Sequence, residues 1–411
     1  MGENARIVII GAGIAGVNAA KTLRDNQFTG QITLIDGDTN IPYDRPPLSK
    51  EFIAGVMGED DNYLHPESFY KENQIDLLLG NKVMEINPTK KEIIVDNGNV
   101  IHWDKLLITT GSKLRRLQNL DDTNFENVFY LKTRKDADYL KEKLASLNHL
   151  VIIGAGFIGL EVAASLIALG KKVTVFEAAK TPLARVLGED MGNYIAGVHR
   201  SKGIEIYTDD YITNFMGDTI LKNIETKDGR KMECDGILVG IGVTPDSFLT
   251  EGILDYEDGI LIDEFCETSV SDIYAAGDCA RWTYPISGEK IRIEHWDTAL
   301  NQGRNAAINM LNPKSETYQT IPYFWSNQHH LAIQYLGHPT QWDETVVRGE
   351  ISTDQFTMFY LLKNTVVGAL IVNQPKNVLP IRRMIHQQIE VNVEELGDET
   401  KKLRDLVKQK I

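Results

Sequence analysis

Two apolar runs, RIVII at residues 6–10 and LVII at 150–153, each end on a glycine turn and give way to a 3.6-residue apolar period. Such runs predict strands buried on both faces of a parallel sheet, and the period that follows predicts a helix. In the first case GAGIAG leads into IAGVNAAKTLRD and then the strand QITLID, residues 31–36. In the second, GAGFIG leads into LEVAASLIALG and the strand KVTVFE, which ends at Glu177. Two further apolar strands close on glycine, within DKLLITTGS (104–112) and DGILVGIGVTP (235–245), and mark the chain leaving one domain for another. The second unit is therefore expected to be inserted in the first.

The pattern changes from about residue 323. PYFWSNQHH is aromatic and polar, LAIQYLG alternates weakly, and FTMFYLLKNTVVGALIVN predicts a hairpin turning at Lys363–Asn364. Helical patterns follow over 377–389 and 393–409, the last a charged surface helix with an LRDLV stripe. The expected fold is α/β: two Rossmann-like dinucleotide-binding domains (1–113 with 243–322, and 114–242) plus a C-terminal α+β domain over 323–411. Between these elements, IPYDRPPLSK (41–50) places three prolines beside an Arg and a Lys. Proline restricts itself and its predecessor, so a stiff, extended course is expected, with LSKEF as a helix entry capped by Ser49.

Composition changes this picture only by exclusion. The chain is 42% apolar and 25% charged, with no run long enough to span a membrane and no signal-peptide pattern. A formal net charge of −15 argues against general nucleic-acid binding. Three widely spaced cysteines, Cys234, Cys266 and Cys279, give no disulfide framework and no metal site, and fit a reducing cytoplasm.

The candidate chemistry lies in the glycine turns. Gly11, Gly13 and Gly16, and again Gly154, Gly156 and Gly159, permit a tight turn, close approach to a pyrophosphate and close helix packing. Twin units imply two dinucleotides, usually a flavin and a nicotinamide. Asp36 and Asp38 both qualify as the acid on the first ribose. Glu177 suits the 2′-OH of NAD and repels a 2′-phosphate, with Lys180 the only nearby base, so NADH is expected over NADPH. TSVSDIYAAGDC (268–279) delivers Asp278 at a glycine turn, where it can reach a ribityl hydroxyl. A helix over 294–311, with Asp297 or Thr298 near its start, can stabilise negative charge on a neighbouring cofactor.

Over essentially its full length the chain resembles the FAD-dependent ferredoxin reductases of the glutathione-reductase structural class, which serve putidaredoxin, rubredoxin and dioxygenase ferredoxins. The carriers are GAGIAG, PYDRPPLSK, TTGS, GAGFIGLEVA, VTVFEA, GIGVTP, TSVSDIYAAGDCA, EHWDTALNQG and PYFWSNQ, all in order. The resemblance implies that Arg45 and Lys50 contact the flavin, Lys50 beside N5 and paired with Glu161 where nicotinamide stacks on it. It implies that Asp278 holds the ribityl chain, Trp296 adjoins the pyrimidine end, Trp325 lies near the flavin at the surface facing the third domain, and Arg185 assists NAD. Further FAD contacts are implied at Ala15, Val83, Thr110, Gly111, Gly277, Glu294 and His295, and NAD contacts at Ile158 and Gly242. Where many relatives carry Arg in a YLRT segment this chain has Lys132, which loses the bidentate fork on a pyrophosphate.

Dithiol and single-cysteine relatives need a cysteine after the second strand, where PPLSKEF stands. Electrons from NADH are thus expected to pass through flavin N5 and leave singly to a small iron–sulfur carrier, a ferredoxin or rubredoxin, that feeds an oxygenase or cytochrome P450. Basic candidates for docking it are Arg304, Lys376, Arg382, Arg383, Lys113, Arg115 and Arg116. Two alternatives stand beside this reading. One is an NADH-sensing flavoprotein like apoptosis-inducing factor, whose usual C-terminal insertion has little room in 323–411. The other is an NADH oxidase that needs no carrier. Monomer and homodimer are both compatible with the sequence.

Overall fold

The structure, a computed structural model, describes residues 2, 4–58 and 60–408. The expected domain ends at residues 1 and 411, and the last residue of the helix expected at 393–409, lie outside them.

Two five-stranded parallel sheets repeat one architecture. The first orders its strands Ile273–Ala275, Lys105–Ile108, Arg6–Ile10, Gln31–Asp36 and Ile75–Leu79. The second orders Val128–Tyr130, Gly236–Val239, His149–Ile153, Lys172–Glu177 and Glu205–Thr208. In each, the strand before the glycine turn is central, flanked by the strand after the helix and by the strand closing on glycine. Burial on both faces explains the unbroken apolar runs: Ile7, Val8, Ile9, Leu150, Val151 and Ile152 are all fully buried. Each unit adds a three-stranded antiparallel meander, over Val83–His102 and Ile212–Glu233. The first sheet draws strands from both sides of the second unit, and the two crossover strands, Ser112–Leu114 and Val243–Pro245, pair with each other.

The C-terminal sheet is antiparallel, ordered Tyr323–Gln328, Leu331–Gly337, Thr365–Val372, Gln355–Leu362 and Glu344–Glu350. Its hairpin turns at Lys363 and Asn364, both with positive φ (51° and 59°), the backbone a two-residue turn needs between right-twisted strands.

Four local expectations are corrected. Pro46–Ser49 forms a 3₁₀ turn rather than an extended run, because the proline φ also suits that helix. Ser49 ends this turn and caps no helix; its hydroxyl goes to Glu161. The helix of the second unit starts earlier, at Phe157. The pattern at 393–409 is two short helices, Val393–Gly397 and Leu403–Lys408, because buried Arg348 donates to the carbonyl of Leu396 in the first and to those of Asp398, Glu399 and Lys401 between them. The stripe Leu403, Leu406 and Val407 is buried, so this end of the chain is docked onto the core.

Candidate functional site

Both glycine turns are sterically closed beneath and open above. Gly11 has φ +106°, and a Cβ there would lie 2.2 Å from the Thr109 carbonyl oxygen. Gly154 has φ +100°, with the Gly240 oxygen 2.4 Å from such a Cβ. Only glycine fits these positions. A Cβ on Gly16 or Gly159 would strike the carbonyl of Gly11 or Gly154, so these serve the packing of helix on turn. Gly13 and Gly156, by contrast, face space with nothing within 4 Å. The helices that start there, Ile14–Asp25 and Phe157–Ala168, have no side-chain N-cap and no acid in the first turn. Free N–H groups and the positive helix end meet that open space, which fits a dinucleotide diphosphate in each unit.

The acids ending the second strands act alike in the two units. Asp36 accepts from the backbone N–H of Ala12 (2.6 Å) and of Asp38 (2.8 Å). Glu177 accepts from Ala155 (2.7 Å) and Ala179 (2.8 Å). Each carboxylate pins its glycine turn and keeps lone pairs for a ribose. Asp38 is differently engaged: it accepts from Asn40 and from the Tyr43 hydroxyl (3.0 Å), which in turn accepts from Arg134 N (2.9 Å).

Beside the first turn, Lys132 donates to Ser112 Oγ and Ser112 donates to Asp278, both at 2.7 Å. Burial, and then the neighbouring Arg45 guanidinium, pull the Lys132 ammonium down to about 8. Arg45 and Lys132 form no ion pair among the described residues. Two such cations, Lys132 reaching Ser112 beside Asp278 and Arg45 close to Gly111, fit a bound diphosphate, which would relieve their repulsion. Gln302 accepts from Gly277 N (2.9 Å) and leaves its buried Nε2 without a partner, a free donor beside Asp278.

The PYDRPPLSK segment meets the second unit and the C-terminal sheet at one point. Glu161, 3% exposed, accepts from Ser49 Oγ (2.5 Å) and Lys50 Nζ (3.0 Å) on one oxygen and from Ser326 Oγ (2.6 Å) on the other. Ser165, one turn along the Glu161 helix, donates to the Ser49 carbonyl at 3.0 Å. The ion pair thus joins all three domains.

From this seam an aromatic group runs to the surface. Trp296 donates to Asp44 (2.7 Å), packs edge-on to Trp325 (5.7 Å between rings), and Trp325 stacks with Tyr323, over which Arg382 lies at 5.3 Å. His295 is held neutral by desolvation and packs against Phe324. Thr110 donates to the Asp246 carbonyl, Gly111, Gly242 and Gly277 have positive φ, and Glu294 pairs with Arg292. Ala15 is covered by the helix Trp296–Leu311, where a Gly303 Cβ would strike its carbonyl, and the Val83 side chain belongs to the core. Ile158, in the first turn of the helix Phe157–Ala168, and Arg185, at the start of the helix Ala184–Ser201, are exposed. Of the basic candidates for docking, Arg304 pairs with Glu316, Arg116 pairs with Asp121, and Arg115 donates to the Val243 carbonyl. Lys113, Lys376 and Arg383 are exposed and form no ion pair among the described residues.

The three thiols are buried and free, and burial pushes Cys234 up to about 12 and Cys279 up to about 11. None supplies a thiolate at neutral pH. Sequence reasoning missed Ser49, Ser112, Ser326 and Gln302 as site residues, although all four lie inside motifs it used. Gln328 closes the PYFWSNQ motif and was likewise passed over, whereas Ser165 and His199 carried no local signal.

Comparison with known proteins agrees with this geometry. Residues 5–303 match the pyridine nucleotide-disulphide oxidoreductase family and residues 323–407 the reductase C-terminal family. The chain is 34% identical to the 5,5'-dehydrodivanillate O-demethylase ferredoxin reductase subunit of Sphingobium sp. (strain NBRC 103272 / SYK-6), covering 97% of each chain. It is 33% identical to the rubredoxin-NAD(+) reductase of Pseudomonas putida, covering 90% of this chain and 96% of that one. The crystal structure of the covalent putidaredoxin reductase–putidaredoxin complex superposes with a TM-score of 0.95 at 32% identity, over 99% of both chains. With two dinucleotide cradles, an ion pair where they meet and no reactive thiol, the chain belongs to the FAD-dependent ferredoxin and rubredoxin reductase family.

Proposed function

We propose that this enzyme takes hydride from NADH and passes electrons one at a time to a small iron–sulfur carrier, a ferredoxin or rubredoxin, that serves an oxygenase or cytochrome P450. FAD, when bound, supplies the hydride acceptor and the step from two electrons to one. The chain's own residues bind, orient and exclude water. The discontinuous domain (1–113, 243–322) holds FAD through Gly11, Gly13, Asp36, Arg45, Lys132, Gln302 and Asp278. Asp36 is the ribose acid, by its parallel with Glu177, and Asp38 braces Tyr43. The inserted domain (114–242) holds NAD at Gly154, Gly156 and Glu177, with Ile158, Arg185 and Gly242 alongside. Lys50 and Glu161 set the geometry where the two cofactors meet. The single observation that supports this most is the Lys50–Glu161 pair at the seam of all three domains, with every cysteine buried elsewhere. The protein works in the cytoplasm, as monomer or homodimer.

Cytochrome c reduction by NADH that requires added ferredoxin or rubredoxin is the expected behaviour. NADH consumption at the same rate without carrier would make the protein an oxidase instead.

Lys132 gives a pH prediction. Its pKa is near 8 without FAD, and a diphosphate would raise it, so FAD binding above pH 8 takes up a proton. FAD affinity of the apoprotein therefore falls as pH rises through 8, by up to about tenfold per unit. Lys132→Arg, charged throughout, should flatten this dependence. Flavin titrations at pH 7 and pH 9.5 check both.

Carrier docking is assigned to the face around Trp325, where Arg382 and Arg383 lie on the helix Val378–His386. Reversing both to Glu should raise the carrier KM about tenfold or more and weaken its salt dependence, with flavin reduction by NADH unaltered. An unchanged KM for carrier, measured at two ionic strengths, would place the dock elsewhere.

A further inference from the structure

The Glu161 carboxylate is the end of a longer buried chain. Ser326 Oγ, which donates to Glu161 Oε1, accepts from Gln328 Nε2 at 3.0 Å. Gln328 Oε1 meets His199 Nε2 at 2.9 Å, and His199 Nδ1 meets His329 Nε2 at 3.2 Å. Ser326, Gln328 and His199 are fully buried. Residues 326–329 belong to the C-terminal sheet and its turn, whereas His199 lies on the helix Ala184–Ser201 of the inserted domain.

Chemistry fixes the direction of every link. A carboxylate paired with Lys50 only accepts, so the Ser326 hydroxyl must donate to it. The serine lone pair then faces the Gln328 amide nitrogen, which turns the amide oxygen toward His199. His199 must donate from Nε2, which leaves Nδ1 of the neutral ring to accept from His329. Desolvation favours that neutral ring. All four donors point toward Glu161. A glutamine amide does not readily pass a proton along, so the chain conducts none; what it does is fix where the carboxylate sits.

We infer that Ser326, Gln328 and His199 are positioning residues for the Lys50–Glu161 pair, a one-way donor chain that holds the carboxylate against Lys50 and ties it to the seat of the C-terminal sheet on the helix Ala184–Ser201. The inference rests on the reading of that pair as the place where nicotinamide meets flavin. Domain docking itself has other supports. Tyr194 donates to Asp354 (2.6 Å), Tyr335 to the Val186 carbonyl (3.1 Å) and Tyr360 to the Leu187 carbonyl (2.8 Å). Loss of the donor chain therefore does not undock the sheet, and a positioning role separates from a merely structural one.

The test uses FAD-loaded Ser326→Ala, Ser326→Thr, Gln328→Met and Lys50→Met proteins beside the parent. Anaerobic stopped-flow gives the limiting flavin reduction rate and the NADH dissociation constant, and ¹⁵N spectra of histidine-labelled parent give the His199 tautomer. Ser326→Ala and Gln328→Met should slow reduction about 5- to 20-fold, the size of one hydrogen bond lost from a buried network, with NADH affinity changed less than about threefold. Ser326→Thr should recover most of the rate, and His199 should carry its proton on Nε2. Unaltered rates in Ser326→Ala and Gln328→Met while Lys50→Met is slow would overturn the inference and leave the hydride site standing. A proton on His199 Nδ1 would also overturn it, since the chain could not then run toward Glu161. If Lys50→Met is as fast as the parent, the hydride site is elsewhere and the inference fails with it.

Discussion

Lys50→Met should retain FAD and lose hydride transfer, with the limiting rate of flavin reduction by NADH falling about 100-fold, the usual result of a misplaced reacting pair. FAD retention follows from geometry, since the glycine turn, Asp36, Lys132 and Asp278 hold their positions without Lys50. Methionine matches the length of the lysine stem and removes only the charge. Glu161 then keeps two hydroxyl donors, Ser49 and Ser326, but no cation. Breaking one side of a buried pair costs up to about 3–5 kcal/mol when nothing else compensates, and the serines should reduce that here. A lowered melting temperature with intact flavin absorbance and slow reduction is the expected combination. Reduction at the parent rate would remove Lys50 from its assignment.

The second large effect concerns nucleotide choice. Glu177→Ala should lower the kcat/KM ratio of NADH to NADPH about 100-fold, from two changes of similar size. The ribose loses a charged acceptor, worth roughly 1.5–3 kcal/mol, and a 2′-phosphate no longer meets a carboxylate. Lys180 then becomes the nearest base, 80% exposed and only loosely placed against Glu189 at 3.9 Å. Because Glu177 also pins Ala155 N, the NADH KM should rise as well. Steady-state kinetics with both nucleotides check this. A ratio that stays constant would mean that selectivity resides outside the second strand.

The parts of the fold legible in the sequence were those written in local pattern. RIVII and QITLID became strands with the bounds read from the chain, and Lys363–Asn364 turned the hairpin, because burial on both faces and positive φ leave local marks. Ser49 misled because a serine before an acid looks like a helix cap, whereas tertiary contact with Glu161 claims the hydroxyl. The strand Glu344–Glu350 was missed because its charged Arg348 points into the protein to bond four carbonyls, which breaks the alternation and splits the final helix. At the site, both glycine turns could be named from motifs, and the Lys50–Glu161 pair from the family resemblance. The donor chain could not, since Glu161, Ser326 and His199 come together only when the C-terminal sheet docks on the inserted domain.

In the proposed function, hydride enters at the Lys50–Glu161 seam and electrons leave singly to an iron–sulfur carrier. Stopped-flow reduction by NADH, followed by reoxidation with a panel of ferredoxins and rubredoxins, tests it most directly. Rapid reduction by NADH and rapid reoxidation by at least one carrier, much faster than by oxygen, is the predicted result. Rapid reduction with no carrier accepted, and oxygen alone restoring the flavin, would contradict it.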